Sequence, residues 1–307
     1  MSLTFVFPGQ GSQAVGMGKD LYDNLDEVKK LYDEASKALG YDVAELSFNG
    51  PAEELNKTYR TQPCLLTASI AAYTAMKLKN VNPSVVAGHS LGEYSALVAA
   101  SSLSFSDAVK ITEMRGRIMQ EAVPEGVGLM AAILGLESAA LDALCKGVGS
   151  GYVAVANYNC PGQLVVSGEK AAVEELTVKA KEAGAKRALP LAVSVPSHST
   201  LMQDAAVKFA DLLKEFEIRD AGIPFVNNVD ARLISKADAI RGSLIRQLSM
   251  PVRWDDCVKT IVSQGATAFV EVGPGKVLSG LIKRISPEAK IFNVENMESL
   301  NRTVAEI

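Results

Sequence analysis

The sequence predicts an α/β protein with a hydrolase-like parallel-sheet core domain and an inserted ferredoxin-like α+β subdomain. Three observations carry this expectation. Short apolar runs alternate with helix-length segments toward both ends of the chain, the pattern of a parallel sheet joined by helices. A G-x-S-x-G pentapeptide, Gly88-His89-Ser90-Leu91-Gly92, lies between a β-like run and a helix-like run, which is the setting of a nucleophile elbow. After residue 126 the rhythm changes to β-α-β-β-α-β, the split unit of ferredoxin-like folds. At about 65 residues this stretch suits a small domain. The core domain is therefore expected over 1–125 and 199–307, with the insert over 126–198.

Each element follows from local pattern. A strand over 3–7 leads into the loop Pro8-Gly9-Gln10-Gly11-Ser12-Gln13, and helices are expected over 20–39, 51–57 and 62–78. A strand over 84–87 enters the elbow, followed by helices over 93–100 and 104–122, the latter capped by Ser104 or Ser106. In the insert, strands are expected over 127–134, 152–158, 163–167 and 187–193, with helices over 137–146 and 169–183. The core resumes with a helix over 199–216, a strand over 224–227, and helices over 237–248 and 254–264. A strand over 268–272 passes through Gly273-Pro274-Gly275 into a helix over 277–285, and 290–294 is the last strand.

Composition narrows the function classes. The 307 residues suffice for about two domains, and 48% apolar with 21% charged residues describes an ordinary globular protein. A net charge of −4 argues against general nucleic-acid binding. No apolar run approaches a membrane span of about 18 residues, and the opening strand lacks the charged start of a secretory signal. A cytoplasmic protein is expected. The four cysteines, Cys64, Cys145, Cys160 and Cys257, show no paired spacing and read as reduced buried thiols. With two histidines, no metal site is expected.

Ser90 at the apex of the elbow needs a base to take its proton. The only histidine outside the pentapeptide is His198, after the rigid lead-in Ser194-Val195-Pro196-Ser197 and where the insert returns to the core. His89 adjoins the nucleophile, but side chains of neighbouring residues diverge at such a turn, so its ring is expected to point away. The partner that orients His198 stays open. Asp107, Glu113 and Glu169 fall on helices, whereas a helix ending before Pro251 offers the unpaired carbonyl of Gln247 or a neighbour.

Arg115 lies within the apolar stripe Ile111, Met114, Ile118 and Ala122, with no carboxylate three or four residues away. An inward guanidinium stays charged and needs an anion. A remote ion pair and a clamp on a substrate carboxylate both satisfy that need. The first loop also fits G-x-G-x-x-A, yet Gln10 and Gln13 stand where packing is wanted and no acidic strand end follows at the dinucleotide distance. Its backbone N–H groups better serve an oxyanion hole, with Leu91 N–H as the other donor.

These residues resemble the malonyl-CoA:acyl carrier protein transacylases of fatty-acid synthesis. The resemblance runs nearly end to end, through Phe7-Pro8-Gly9-Gln10-Gly11-Ser12-Gln13, Gly88-His89-Ser90-Leu91-Gly92-Glu93-Tyr94, Met114-Arg115-Gly116, Asn157-Tyr158-Asn159-Cys160-Pro161-Gly162-Gln163, Ser194-Val195-Pro196-Ser197-His198 and Val270-Glu271-Val272-Gly273-Pro274-Gly275. It implies a ping-pong acyltransferase in which Ser90 takes malonyl from coenzyme A and passes it to the phosphopantetheine thiol of acyl carrier protein. Coenzyme A is then a substrate, and no cofactor is implied. Within that scheme His198 resembles the general base, Gln247 the carbonyl that orients it, and Arg115 the partner of the malonyl carboxylate. Gln10 and Leu91 match the oxyanion hole, and Asn157 and Asn159 are assigned to substrate binding. Ser197 stands where modular polyketide transferases often carry an aromatic residue, so that selectivity cue is absent.

The carrier protein is acidic throughout the family, so its dock is expected to be basic. Lys186, Arg187, Lys283 and Arg284 are the candidates, each weighed against a merely solvated charge. A monomer is expected. The rival reading is a serine hydrolase or thioesterase using the same elbow. Against it, α/β-hydrolases place the histidine late, whereas more than 100 residues follow His198.

Overall fold

A computed structural model describes residues 2–124, 126–191 and 195–307. The chain opens with β1 (Leu3–Phe7) and five helices, α1 (Lys19–Asn24), α2 (Asp26–Leu39), α3 (Val43–Asn49), α4 (Ala52–Leu55) and α5 (Thr58–Leu78). Then β2 (Val85–Gly88) leads into α6 (Gly92–Ala99) and α7 (Phe105–Glu121). The second unit comprises β3 (Gly128–Leu134), α8 (Ser138–Lys146), β4 (Val153–Cys160), β5 (Gln163–Glu169), α9 (Lys170–Glu182) and β6 (Arg187–Pro190). After it come α10 (Gln203–Leu213), β7 (Phe225–Val226), β8 (Leu233–Ile234), α11 (Ala237–Gln247) and α12 (Trp254–Ser263). The chain ends with β9 (Ala268–Val272), α13 (Val277–Ile285), β10 (Lys290–Val294) and α14 (Met297–Glu306).

Two sheets result. The core sheet runs β10-β9-β1-β2-β7-β8 and is parallel except for the β7–β8 edge. The second runs β4-β5-β3-β6 and is antiparallel throughout, the ferredoxin-like order. Because successive strand residues point to opposite faces, Phe5, Phe7, Val86 and Val270 enter one hydrophobic cluster with α5. Val6, Val85, Ala87 and Phe269 enter another around Trp254. Each such large side chain stabilises the fold by about 1.5–3 kcal/mol when removed from water. Helix α5 is buried almost all round, which is why its sequence shows no amphipathic stripe.

Several boundaries differ from expectation. The helix expected over 20–39 breaks at Leu25, whose extended backbone closes α1 onto Leu21 O at 3.0 Å while Asp26 and Glu27 begin α2. Helix α3 was not expected, although Asp42 caps it through Glu45 N–H at 2.8 Å, a legible start signal. Helix α5 begins at Thr58 rather than 62 and carries Pro63 inside it, offset by burial of the surrounding side chains. Ser104, not Ser106, caps α7. The buried face of α7 is Ala108, Val109, Ile111, Thr112, Arg115, Gly116 and Met119, so Met114, Ile118 and Ala122 sit at its margin. The helix expected over 199–216 is a 3-10 turn, Thr200–Met202, followed by α10. The last insert strand ends at Pro190, and its expected continuation falls partly on 192–194, outside the described residues. Strand β8 and the Asn296-capped α14 are additional. All four cysteines are free, and Cys145 is half-buried rather than buried. Among the described residues no helix is long and apolar enough to cross a membrane.

Candidate active site

The parallel pairing of β1 with β2 brings Phe7 beside Gly88, and the chain then turns sharply into α6. Two close approaches require glycine. A Cβ on Gly88 would lie 1.9 Å from Gly92 C, and one on Gly92 would lie 2.1 Å from Phe7 O. At the apex Ser90 takes φ 50°, a left-handed conformation that L residues adopt at a cost of about 1–3 kcal/mol.

The elbow is held from one side by Asn228, just after β7. Its Oδ1 accepts from Ser90 N–H and its Nδ2 donates to Gly88 O, both at 2.7 Å. Its own N–H donates to Glu93, a fully buried carboxylate in the first turn of α6. Burial pushes Glu93 up to about 8, against the pull of the Asn228 N–H, Arg115 and Gln247.

His198, also left-handed at φ 59°, reaches the serine from the far side. Its Nε2 lies 2.8 Å from Ser90 Oγ and its Nδ1 lies 2.7 Å from the carbonyl oxygen of Gln247. A carbonyl only accepts, so Nδ1 carries the proton and Nε2 offers its lone pair to the serine. Burial, reinforced by the Arg115 charge, depresses His198 to about 3, which keeps the imidazole neutral. The acidic alternatives serve elsewhere: Asp107 with Ser104 at the start of α7, Glu113 with Arg60 and Arg117, and Glu169 beside Gly151. His89 points away, with Nε2 2.8 Å from Asn159 Oδ1 and its ring edge-on to Trp254.

Arg115 is 1% exposed and has no carboxylate within salt-bridge range among the described residues. Nη1 donates to Gln62 Oε1 at 2.8 Å, and Nη2 to Gln247 Oε1 at 3.0 Å and toward Ser90 Oγ at 3.4 Å. The guanidinium also lies over the Tyr94 ring, 5.5 Å from its centroid. Its buried Nε–H has no partner. The remote ion pair weighed at the outset is therefore not what holds Arg115.

Ser90, His198 and Arg115 meet at a cavity of about 460 Å³ walled by both sheets' units. Leu91 and Gln10 line it, and neither backbone N–H donates to a protein acceptor among the described residues. The Gln10 side chain reaches Thr58 Oγ1 at 3.3 Å. Asn157 and Asn159 line the insert side, Asn159 with its oxygen committed to His89. The four basic residues divide. Lys186 and Arg284 line a second groove, but Arg284 is tied to Gln163 Oε1 at 2.7 Å and to the Pro161 carbonyl. Lys283 turns back to Pro287 O at 2.6 Å, and Arg187 begins β6 on the surface. Among the described residues no group of three or more His, Cys, Asp or Glu is placed to hold a metal.

Three residues at the site escaped the sequence reading: Gln62, Glu93 and Asn228. Only Asn228 left a signal, an Asn-Asn pair at the end of an expected strand.

Known proteins match the chain over nearly its whole length. The acyl transferase domain family matches residues 4–301. The malonyl CoA-acyl carrier protein transacylase of Haemophilus influenzae is 52% identical over 299 residues, 96% of each chain. An acyl carrier protein S-malonyltransferase of Vibrio cholerae superposes with a TM-score of 0.96 at 48% identity, covering 99% of this chain and 100% of its own. A malonyl-transacylase in complex with its type II PKS acyl-carrier protein superposes at 0.98 with 48% identity over 100% of both chains.

Proposed function

The chain belongs to the acyl transferase family, and from that premise we propose that Ser90 carries malonyl from coenzyme A to the phosphopantetheine thiol of acyl carrier protein. The observation that carries this reading is the buried Arg115 fork beside the Ser90–His198 pair, with neutral partners and a free Nε–H. A cation so placed suits an acyl group that ends in a carboxylate.

The residues supply each step. His198 Nε2 takes the Ser90 proton as Oγ attacks the thioester carbonyl, help typically worth 10²–10⁴-fold. The N–H groups of Leu91 and Gln10, two residues that line the cavity and whose N–H groups have no protein acceptor among the described residues, stabilise the oxyanion as it forms. Collapse breaks the C–S bond, and the imidazolium returns its proton to the departing coenzyme A thiolate. The carrier thiol then gives up its proton to His198, attacks the malonyl ester, and restores Ser90. Asn157 and Asn159 line the substrate side, and Lys186 and Arg187 lead the basic dock for the carrier. Ser90, His198, Arg115, Gln10 and Leu91 all line the cavity from one chain, so a monomer suffices as the working unit; we place it in the cytoplasm and in fatty-acid synthesis.

Intact-mass measurement after mixing with malonyl-CoA tests the assignment. A stable malonyl adduct is expected, lost in Ser90→Ala. Release of free coenzyme A and malonate with no adduct and no transfer would make the protein a hydrolase.

A further inference from the structure

Glu93 lies under the site and touches none of the groups that meet substrate. Its carboxylate oxygens accept from Asn228 N–H and from Gln247 Nε2. That second contact decides which way the Gln247 amide faces. Gln247 Nε2 also points to Ser90 O at 3.0 Å and lies 3.5 Å from Asn228 Oδ1, so three acceptors surround it. Its Oε1 is thereby left facing Arg115 Nη2 at 3.0 Å. Reversing the amide would set N–H against N–H, toward the guanidinium and away from every acceptor.

Building on the malonyl reading of Arg115, we propose that Glu93 is a positioning residue for acyl-group choice, fixing the Gln247 amide so that a neutral oxygen holds the guanidinium. A carboxylate in direct bidentate contact would occupy the Arg115 fork and compete with the substrate's own carboxylate. Gln62 and Gln247 instead grip one nitrogen each, and the carboxyl group of Glu93 stands one amide away. The guanidinium is fixed in place, yet its preferred anionic partner is missing until substrate arrives.

Glu93→Gln is the discriminating variant. The new amide can accept from only one of the two N–H donors, so its own NH₂ turns to Gln247, which reverses and presents N–H to Arg115. The ratio of kcat/KM for malonyl-CoA to that for acetyl-CoA should fall by about tenfold or more, the scale of a lost hydrogen bond to a charged group. Glu93→Asp should retain part of the ratio. Gln247→Met keeps the main-chain carbonyl for His198 but removes the amide, and should lower the ratio similarly; the double variant should be no worse than either alone. An unchanged ratio in these variants, or equal loss for both acyl groups, overturns the proposal, and Gln247→Met decides it where Glu93→Gln does not fold. Arg115→Ala separates the two levels. If it leaves the ratio unchanged, the malonyl reading itself fails; if it lowers the ratio while Glu93→Gln does not, only the role of Glu93 fails.

Discussion

The backbone N–H of Ser90 donates to Asn228 Oδ1 at 2.7 Å, so the strained nucleophile is held by a side chain 138 positions away. Asn228→Ala should therefore lower stability and slow acylation together. It leaves Ser90 N–H and Gly88 O unpaired, each at about 1–3 kcal/mol. Acylation should drop about tenfold or more once the φ 50° apex is free to relax. A variant with a lowered melting temperature but a wild-type single-turnover rate would limit Asn228 to the scaffold.

Arg115→Ala should remove malonyl transfer and spare acetyl transfer in relative terms. Truncation leaves the substrate anion unpaired in a partly buried cavity, a loss of about 2–5 kcal/mol, or roughly 30-fold or more in selectivity. Arg115→Lys should rescue only in part, because an ammonium cannot grip Gln62, Gln247 and a carboxylate from one plane. Steady-state rates with both thioesters, beside a melting curve, distinguish this from general damage.

His198 gives a pH signature with a defined sign. Its native value is depressed to about 3 by burial and by Arg115, whereas an unfolded histidine takes its proton near 6.5. Below about 6.5 the unfolded state binds a proton that the native state refuses. The His198 contribution is thus complete above about 6.5 and drains away as pH falls toward 3. Denaturant unfolding from pH 7.5 to 5 should show wild type losing more stability than His198→Ala. Parallel losses would refute the depression. The acylation rate, for its part, should show no break near pH 6.5.

Gly92→Ala should be among the most destabilising single substitutions in the core. The new Cβ would stand 2.1 Å from the main-chain oxygen of Phe7, which cannot yield without shifting β1. The cost should exceed the usual 1–3 kcal/mol of overpacking. Gly242→Ala on α11 is the control, since a Cβ there meets nothing within 4 Å, and its melting temperature should hold or rise.

Charge reversal at Lys186 and Arg187 should raise KM for carrier protein, more strongly at low salt, with little effect on transfer to free pantetheine. Arg284→Glu should act differently, because it also breaks the contacts with Gln163 and Pro161. Equal losses toward carrier and free pantetheine in the Lys186 and Arg187 variants would place their role in the site rather than the dock.

What the sequence made legible follows the range of the forces involved. The elbow could be read because its glycines and serine are local in the chain, and His198 because so few histidines compete with it. Gln247 was reachable through a rule about helix ends. Glu93 was not, since one buried carboxylate among apolar neighbours looks like any helix residue until Asn228 and Gln247 arrive from distant segments. Gln62 was hidden in the same way within α5, where nearly every position is buried and no stripe marks the inward face. The break at Leu25 and the extra α3 turned on single backbone choices that periodicity averages away.

The acceptor at His198 Nδ1 is a main-chain carbonyl, and this has a genetic consequence. Any amino acid at position 247 carries that oxygen, so a missense change of the codon removes the side chain but never the atom itself. A triad built on aspartate can be disarmed by one amino-acid replacement; here a replacement must shift the peptide chain to do it. Selection is thereby left free to revise the Gln247 side chain, which faces Arg115, without surrendering the base. Acyl preference and proton transfer are written on two separate parts of one residue, and they can drift apart.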